Sequence, residues 1–251
     1  MRRWTLIPVM LVLILSLVVS GCQSTPQTTK LIVGTSADYP PFESMEGTNF
    51  VGYDMDLMRE VGKKMGMEVE FQNISFDGLI PALQSGKINA IISAMSANDE
   101  RRKQVDFTEP YFIGSDAVLV AEESTITVAS NDDLAPLRIG VQSGTTQEAW
   151  LTENFPDAQI SRYEKADQGV LDLKSGRIDV LAMDYYAAIS YINAGGIKLA
   201  LKTEFAGESY SIAVAKGNTE LVNKFNEAIK ALQAEGVLDQ LAEKYLTEPA
   251  P

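Results

Sequence analysis

Apolar and polar positions along this chain run through two rounds of one rhythm. Leu31-Ile32-Val33-Gly34-Thr35 is a short β-branched run, the pattern of a strand buried on both faces. Leu57, Val61 and Met65, with Met58 beside them, mark one face of a helix that opens at Asp54 and stops at Gly66. Val69-Glu70-Phe71-Gln72 alternates as a strand. Leu79, Ile80 and Leu83 predict a second helix ended at Gly86, and Ile88 to Ile92 the next strand. This β-α-β-α-β order belongs to a parallel sheet covered on both faces. At Leu137-Arg138-Ile139-Gly140-Val141 the rhythm restarts. A turn at Ser143-Gly144-Thr145-Thr146 opens a helix through Trp150; Ile160 to Tyr163 is a strand, Asp167 to Ser175 a helix, and Ile178 to Met183 a strand.

The two rounds share a unit. Leu83-Gln84-Ser85-Gly86-Lys87-Ile88 is echoed by Leu173-Lys174-Ser175-Gly176-Arg177-Ile178, and the echo sets Ala94 against Asp184. Tyr111 to Ala121 and Tyr210 to Ala215 read as two crossover strands between the halves, a natural hinge. Asn218 caps a helix carrying Leu221, Phe225, Ile229 and Leu232; Gly236 breaks it, and a shorter helix runs to Tyr245. The expectation is an α/β fold of two similar lobes, 30–113 with 212–248 and 114–211, each a mostly parallel sheet flanked by helices.

Ligands in open α/β sheets bind beyond the carboxyl ends of the strands. Polar residues stand at each such end: Ser36 to Tyr39, Ser93 to Arg101, Ser143 to Thr146, and Asp184. The planar fork of Arg101 suits a carboxylate, and Ser96 with the backbone near Ala94 could complete that site. Taken alone, Asp99-Glu100-Arg101-Arg102-Lys103 is equally a charge run lying in water. Asp184 can accept from an ammonium group or simply cap the helix that Tyr185 begins. Thr146 and its neighbours can turn N–H groups toward an anion. Tyr39, Phe42 and Phe76 are loop aromatics; Phe42 is read as core, as are Met55, Met58, Met65 and Met67. Opposite charges at equivalent edges of two lobes suit a ligand carrying both, such as an amino acid.

Composition narrows the chemistry. The net charge is −13, and −15 once Arg2 and Arg3 leave with residues 1–21, so nucleic acid is not an expected partner. There is no histidine and one cysteine, which excludes Ser-His-Asp and Cys-His catalysis and removes the usual zinc, copper and haem ligands. No spaced acidic loop suggests calcium or magnesium; no cofactor or metal is expected. Arg2 and Arg3 precede an apolar stretch, Val9 to Val19, too short to read as a spanning helix, then Ser20, Gly21 and Cys22. Gln23 to Thr29 is a polar tether reaching at most ~25–28 Å beyond Cys22.

Val19-Ser20-Gly21-Cys22 resembles a bacterial lipobox, which implies a signal peptide over 1–21, cleavage before Cys22 and lipidation of Cys22. Asp38-Tyr39-Pro40-Pro41-Phe42-Glu43, Val51-Gly52-Tyr53-Asp54-Met55-Asp56-Leu57, and Phe76-Asp77-Gly78-Leu79-Ile80-Pro81-Ala82-Leu83 resemble the polar amino-acid-binding proteins of ABC importers, solute-binding protein family 3. So do Glu100 to Thr108 and Gly140 to Thr146. The resemblance implies the two-lobed periplasmic-binding-protein fold of type II. It implies Arg101 on the ligand α-carboxylate, with Ser96 and the Thr146 backbone. Asp184 then takes the α-ammonium together with backbone at Ala94, Tyr39 and Phe76 flank the side chain, and Ser93 and Gln142 line the pocket. Ser36 departs from the family, standing where several basic or glutamine binders carry an acid; Asp38 compensates or points outward. The expected protein is a monomeric, membrane-anchored carrier outside the cytoplasm, in a periplasm or on the outer face of a cell membrane. It delivers a polar or basic amino acid, arginine or glutamine first, to a permease. A dehydratase on the same fold, with Glu208 or Asp184 as its acid, and a sensing module for a separate receptor are the alternatives.

Overall fold

Two five-stranded sheets are filled in the order the apolar rhythm sets out. A computed structural model describes residues 30–246; the signal peptide, Cys22, the tether and residues 247–248 of the expected first lobe lie outside the described residues. The chain enters at β1 (Lys30–Thr35), folds β2 (Asp38–Tyr39), β3 (Glu43–Glu46) and β4 (Asn49–Val51) into a small antiparallel sheet, and continues into α1 (Tyr53–Met65). Then come β5 (Glu68–Asn73), a 3-10 turn over Phe76–Gly78, α2 (Leu79–Gln84), β6 (Ala90–Ile91), α3 (Asp99–Arg102) and β7 (Val105–Phe107).

β8 (Phe112–Ala121) carries the chain into the second sheet. There follow β9 (Arg138–Gln142), α4 (Thr146–Asn154), β10 (Gln159–Tyr163), α5 (Ala166–Lys174), β11 (Val180–Asp184), α6 (Tyr185–Asn193) and β12 (Ile197–Tyr210). The return is β13 (Ala213–Ala215), then α7 (Thr219–Ala234) and α8 (Val237–Tyr245).

The sheets run β5-β1-β6-β13-β7 and β10-β9-β11-β8-β12. In each, four strands point one way and the fourth in order, β13 or β8, runs against them. The sequence echo is therefore structural. Val33 and Gly34 pair with Ala90 and Ile91, as Ile139 and Gly140 pair with Val180 and Leu181. Ala94 and Asp184 leave equivalent strands.

Several expectations change. The second crossover is not one strand over 210–215: β12 ends at Tyr210 and β13 starts at Ala213. β12 is missed in the sequence because register shifts at Leu199/Leu201 and Thr203/Glu208 break its period of two. The loop expected over 36–42 contains β2, and β3 follows it. The Asp99–Lys103 charge run is not simply solvated: most of it is α3, which buries Arg101. Met55 and Met58 are core, whereas Met65 and Met67 are only partly buried.

The hinge is aromatic. Phe42 is fully buried, as expected, with ring centres 5.1 Å from Tyr210 and 5.5 Å from Phe112. Phe112 and Tyr210 stack at 5.4 Å, so the outgoing and returning chains touch where they cross. Among the described residues, no helix is long and apolar enough to cross a membrane.

Candidate functional site

The carboxyl ends of β1, β6, β9 and β11 converge on one cavity. All ten candidate residues line it: Ser36, Tyr39, Phe76, Ser93, Ala94, Ser96, Arg101, Gln142, Thr146 and Asp184. Glu43, Thr145, Gln147 and Glu208 complete the lining.

Arg101 is positioned by its own short helix. Asn98 caps α3 by accepting from the Arg101 N–H at 2.8 Å, and the side chain turns inward to 7% exposure. Its Nη1 donates to Ser96 O at 2.7 Å and its Nη2 to Gly144 O, across the lobes, at 2.9 Å. Phe76 lies 5.3 Å beneath the guanidinium. Burial pulls the Arg101 pKa down, while the charges of Glu208 and Asp184 pull it up. A guanidinium stays charged under such loads.

Ala94 has φ +42, in the left-handed region where an L side chain is strained. Its N–H donates to Asp54 Oδ2 at 2.7 Å, and Tyr111 OH donates to the same oxygen at 2.8 Å. The Ala94 amide is thus committed to Asp54 rather than to the cavity. Ser36 N–H donates to Ser93 Oγ at 2.9 Å, which donates to Glu43 Oε1 at 2.8 Å. Glu43 Oε2 and Asp54 Oδ1 are buried without a donor. Burial drives both acids up, and the charge of Asp54 raises Glu43 further; Asp54 is pushed up to about 7. The two carboxyls lie close enough in the first lobe for each to shift the titration of the other.

The second lobe supplies more acid. Asp184 occupies the N-cap position of α6, yet its carboxylate makes no capping bond. Its N–H donates to Tyr39 OH at 2.9 Å, a contact between lobes. The Gln147 amide donates to Asp184 Oδ1 at 3.0 Å and to Asp116 Oδ1 at 2.7 Å. Thr146 Oγ1 donates to Glu208 Oε1 at 2.6 Å, and Ser96 Oγ donates to Glu208 Oε2 from the other lobe. Carboxylate oxygens of Asp116, Asp184 and Glu208 lie within 4.8 Å of one another, close enough to share a cation. Burial, then the charge of Glu208, pushes Asp116 up to about 7; burial, then Glu208 and Asp116, pushes Asp184 well above the carboxylate range. The cavity holds one guanidinium and an excess of acids, which calls for a cation or for protons.

Sequence reasoning missed Glu43, Gln147 and Asp116 as site groups and considered Glu208 only as a catalytic acid. Asp116 carried a signal, a lone acid before the apolar run Ala117-Val118-Leu119-Val120. Glu208, just ahead of Tyr210-Ser211-Ile212-Ala213-Val214, carried a similar one.

Residues 31–248 match the bacterial extracellular solute-binding proteins, family 3. A probable histidine-binding protein of Campylobacter jejuni is 37% identical over 224 residues, covering 88% of this chain and 86% of that one. The ABC transporter arginine-binding protein 1 of Escherichia coli is 35% identical over 226 residues, covering 87% and 91%. Among solved structures, an ancestral arginine-binding protein bound to arginine superposes with a TM-score of 0.83 at 38% identity, covering 87% of this chain and 98% of that one. With its two sheets, hinge and interlobe cavity, the chain belongs to family 3 of the bacterial extracellular solute-binding proteins.

Proposed function

We propose that this protein is an amino-acid-binding lipoprotein outside the cytoplasm that captures a cationic amino acid, arginine foremost, and hands it to an ABC transporter permease. The observation that carries the reading is the charge of the cavity: Arg101 faces Glu43, Asp184 and Glu208, with Asp116 behind them. A zwitterion satisfies one charge of each sign. The remaining acid favours a second positive charge on the ligand, so arginine moves ahead of glutamine. The names of the arginine-binding relatives support the same ligand.

In this reading Arg101 takes the α-carboxylate with Ser96 and Thr146. Asp184, joined by Glu208, takes the α-ammonium. Tyr39 and Phe76 wall the side chain, and Ser36, Ser93, Ala94 and Gln142 shape the pocket. Glu43, with one oxygen lacking a donor, meets the cationic end of the side chain. Lobes 30–113 with 212–248 and 114–211 close about the aromatic hinge, and the closed form docks on the permease as a monomer. Residues 1–21 are a signal peptide and Cys22 carries the lipid. Binding rather than catalysis is supported by Glu208, both of whose oxygens are taken as acceptors.

Calorimetry against the twenty amino acids and prephenate tests the reading. Arginine is expected to bind most tightly and prephenate to give no aromatic product; binding of no amino acid, or turnover of prephenate, would sink it. Arg101→Ala is expected to cost about 3–5 kcal/mol of binding by leaving a buried carboxylate unpaired; unchanged affinity removes Arg101 from the site. Cys22→Ser should move the protein from the membrane fraction to the soluble fraction, and retention in the membrane would contradict lipidation there.

The raised acids set a pH dependence. Asp54 and Asp116 titrate near 7 in the fold against 3.8 when unperturbed. The folded chain therefore holds protons that the unfolded chain releases, and stability of the free protein falls as pH rises from about 4 to about 7. Urea unfolding should show free protein on the order of 5 kcal/mol more stable at pH 5 than at pH 7.5. A stability that climbs across that window would contradict the burial of these acids.

A further inference from the structure

The sequence left Asp38 two places, reaching the ligand side chain or pointing outward. It takes neither, standing outside the cavity lining and bridging the lobes. We propose that Asp38 is a positioning residue for the closed form: it ties the first lobe to the second without touching ligand and thereby sets how long ligand stays. This rests on the reading of the protein as a lobe-closing binder.

The geometry divides the residue's bonds by lobe. Within its own lobe, Asp38 Oδ1 accepts from Ser36 Oγ at 2.7 Å, which aims the carboxylate. Across the cleft, Oδ2 accepts from the Ala166 N–H at 2.8 Å, at the first residue of α5. That helix end carries partial positive charge and an unfilled donor. Gln142 Nε2 stands 3.5 Å from the same oxygen. The backbone carbonyl of Asp38 accepts from Tyr191 OH of α6 at 2.7 Å. One residue of the first lobe thus engages β9, α5 and α6 of the second.

The other side-chain bonds between lobes, Arg101 to Gly144, Asp184 to Tyr39 and Ser96 to Glu208, are made by side chains of residues that line the cavity. The bonds of Asp38 to Ala166 and Tyr191 involve no cavity-lining residue, and in this proposal they persist as the cavity fills. A contact made only in the closed form shifts the open-closed equilibrium by its own free energy. Desolvation and the neighbouring charge of Asp167 oppose the latch, while Ser36, the Ala166 N–H and the charge of Lys165 favour it. Ser36 and Gln142 touch both Asp38 and the cavity, so the latch is fixed by the walls of the site itself.

Stopped-flow binding of arginine to wild type, Asp38→Ala, Asp38→Asn and Tyr191→Phe is the test. Asp38→Ala should speed dissociation about tenfold while association stays within about twofold. Asn keeps an acceptor for Ala166 and should lose less; Tyr191→Phe, cutting a separate bond to the same residue, should also speed dissociation. Dissociation from Asp38→Ala equal to wild type would overturn the latch. So would an association rate that falls as far as dissociation rises, since that marks damage to the open lobe. If wild type binds no amino acid, the ligand reading fails. The latch is then tested by small-angle scattering of the free proteins: Asp38→Ala must enlarge the radius of gyration, and an unchanged radius overturns it.

Discussion

The burial of one guanidinium among more numerous carboxylates is the constraint on which the site depends. Arg101 can be taken out of water only because Ser96 O, Gly144 O and the face of Phe76 receive it and because acids stand near. Those acids do not cancel it. Glu43 and Asp54 lie together, buried, in the first lobe, and Asp116, Asp184 and Glu208 crowd together in the second. The resulting shortage of positive charge is a binding potential held by the fold, and a cation that enters exchanges protons and hydroxyl contacts for ionic ones.

The scaffold supplies what such a site costs. Equivalent strands β6 and β11 deliver different loops: one reaches α3 and its arginine, the other ends directly in Asp184. The strained φ of Ala94 persists because Asp54, fully buried at the start of α1, accepts its N–H. The aromatic contacts of Phe42, Phe112 and Tyr210 hold the two crossings together where the lobes meet.

Much of this was legible in the chain. The doubled Ser-Gly-Lys/Arg-Ile unit gave the register in which Ala94 answers Asp184, because the helix stop and buried strand are local signals repeated at one spacing. The ten candidate residues fall on one cavity because ligands gather at strand carboxyl ends. What stayed hidden depends on contacts distant in sequence. Arg101 is a named candidate, but its charge run does not show that Gly144 O, 43 residues along the chain, helps hold its guanidinium inside. Glu208 lies beyond the register shifts that disguise β12, and Asp38 finds its partner in Ala166, 128 residues along the chain. Glu43 adjoins Phe42 in a family motif, yet its pairing with Asp54 has no sequence signal.

The central claim is that the cavity recognises charge at the far end of the ligand as well as at its α-carbon. Titrating the purified protein with arginine and with citrulline, which keeps the shape of arginine and removes the side-chain charge, tests it most directly. The account predicts that arginine binds about 100-fold more tightly or better. Equal affinity for the two would contradict it.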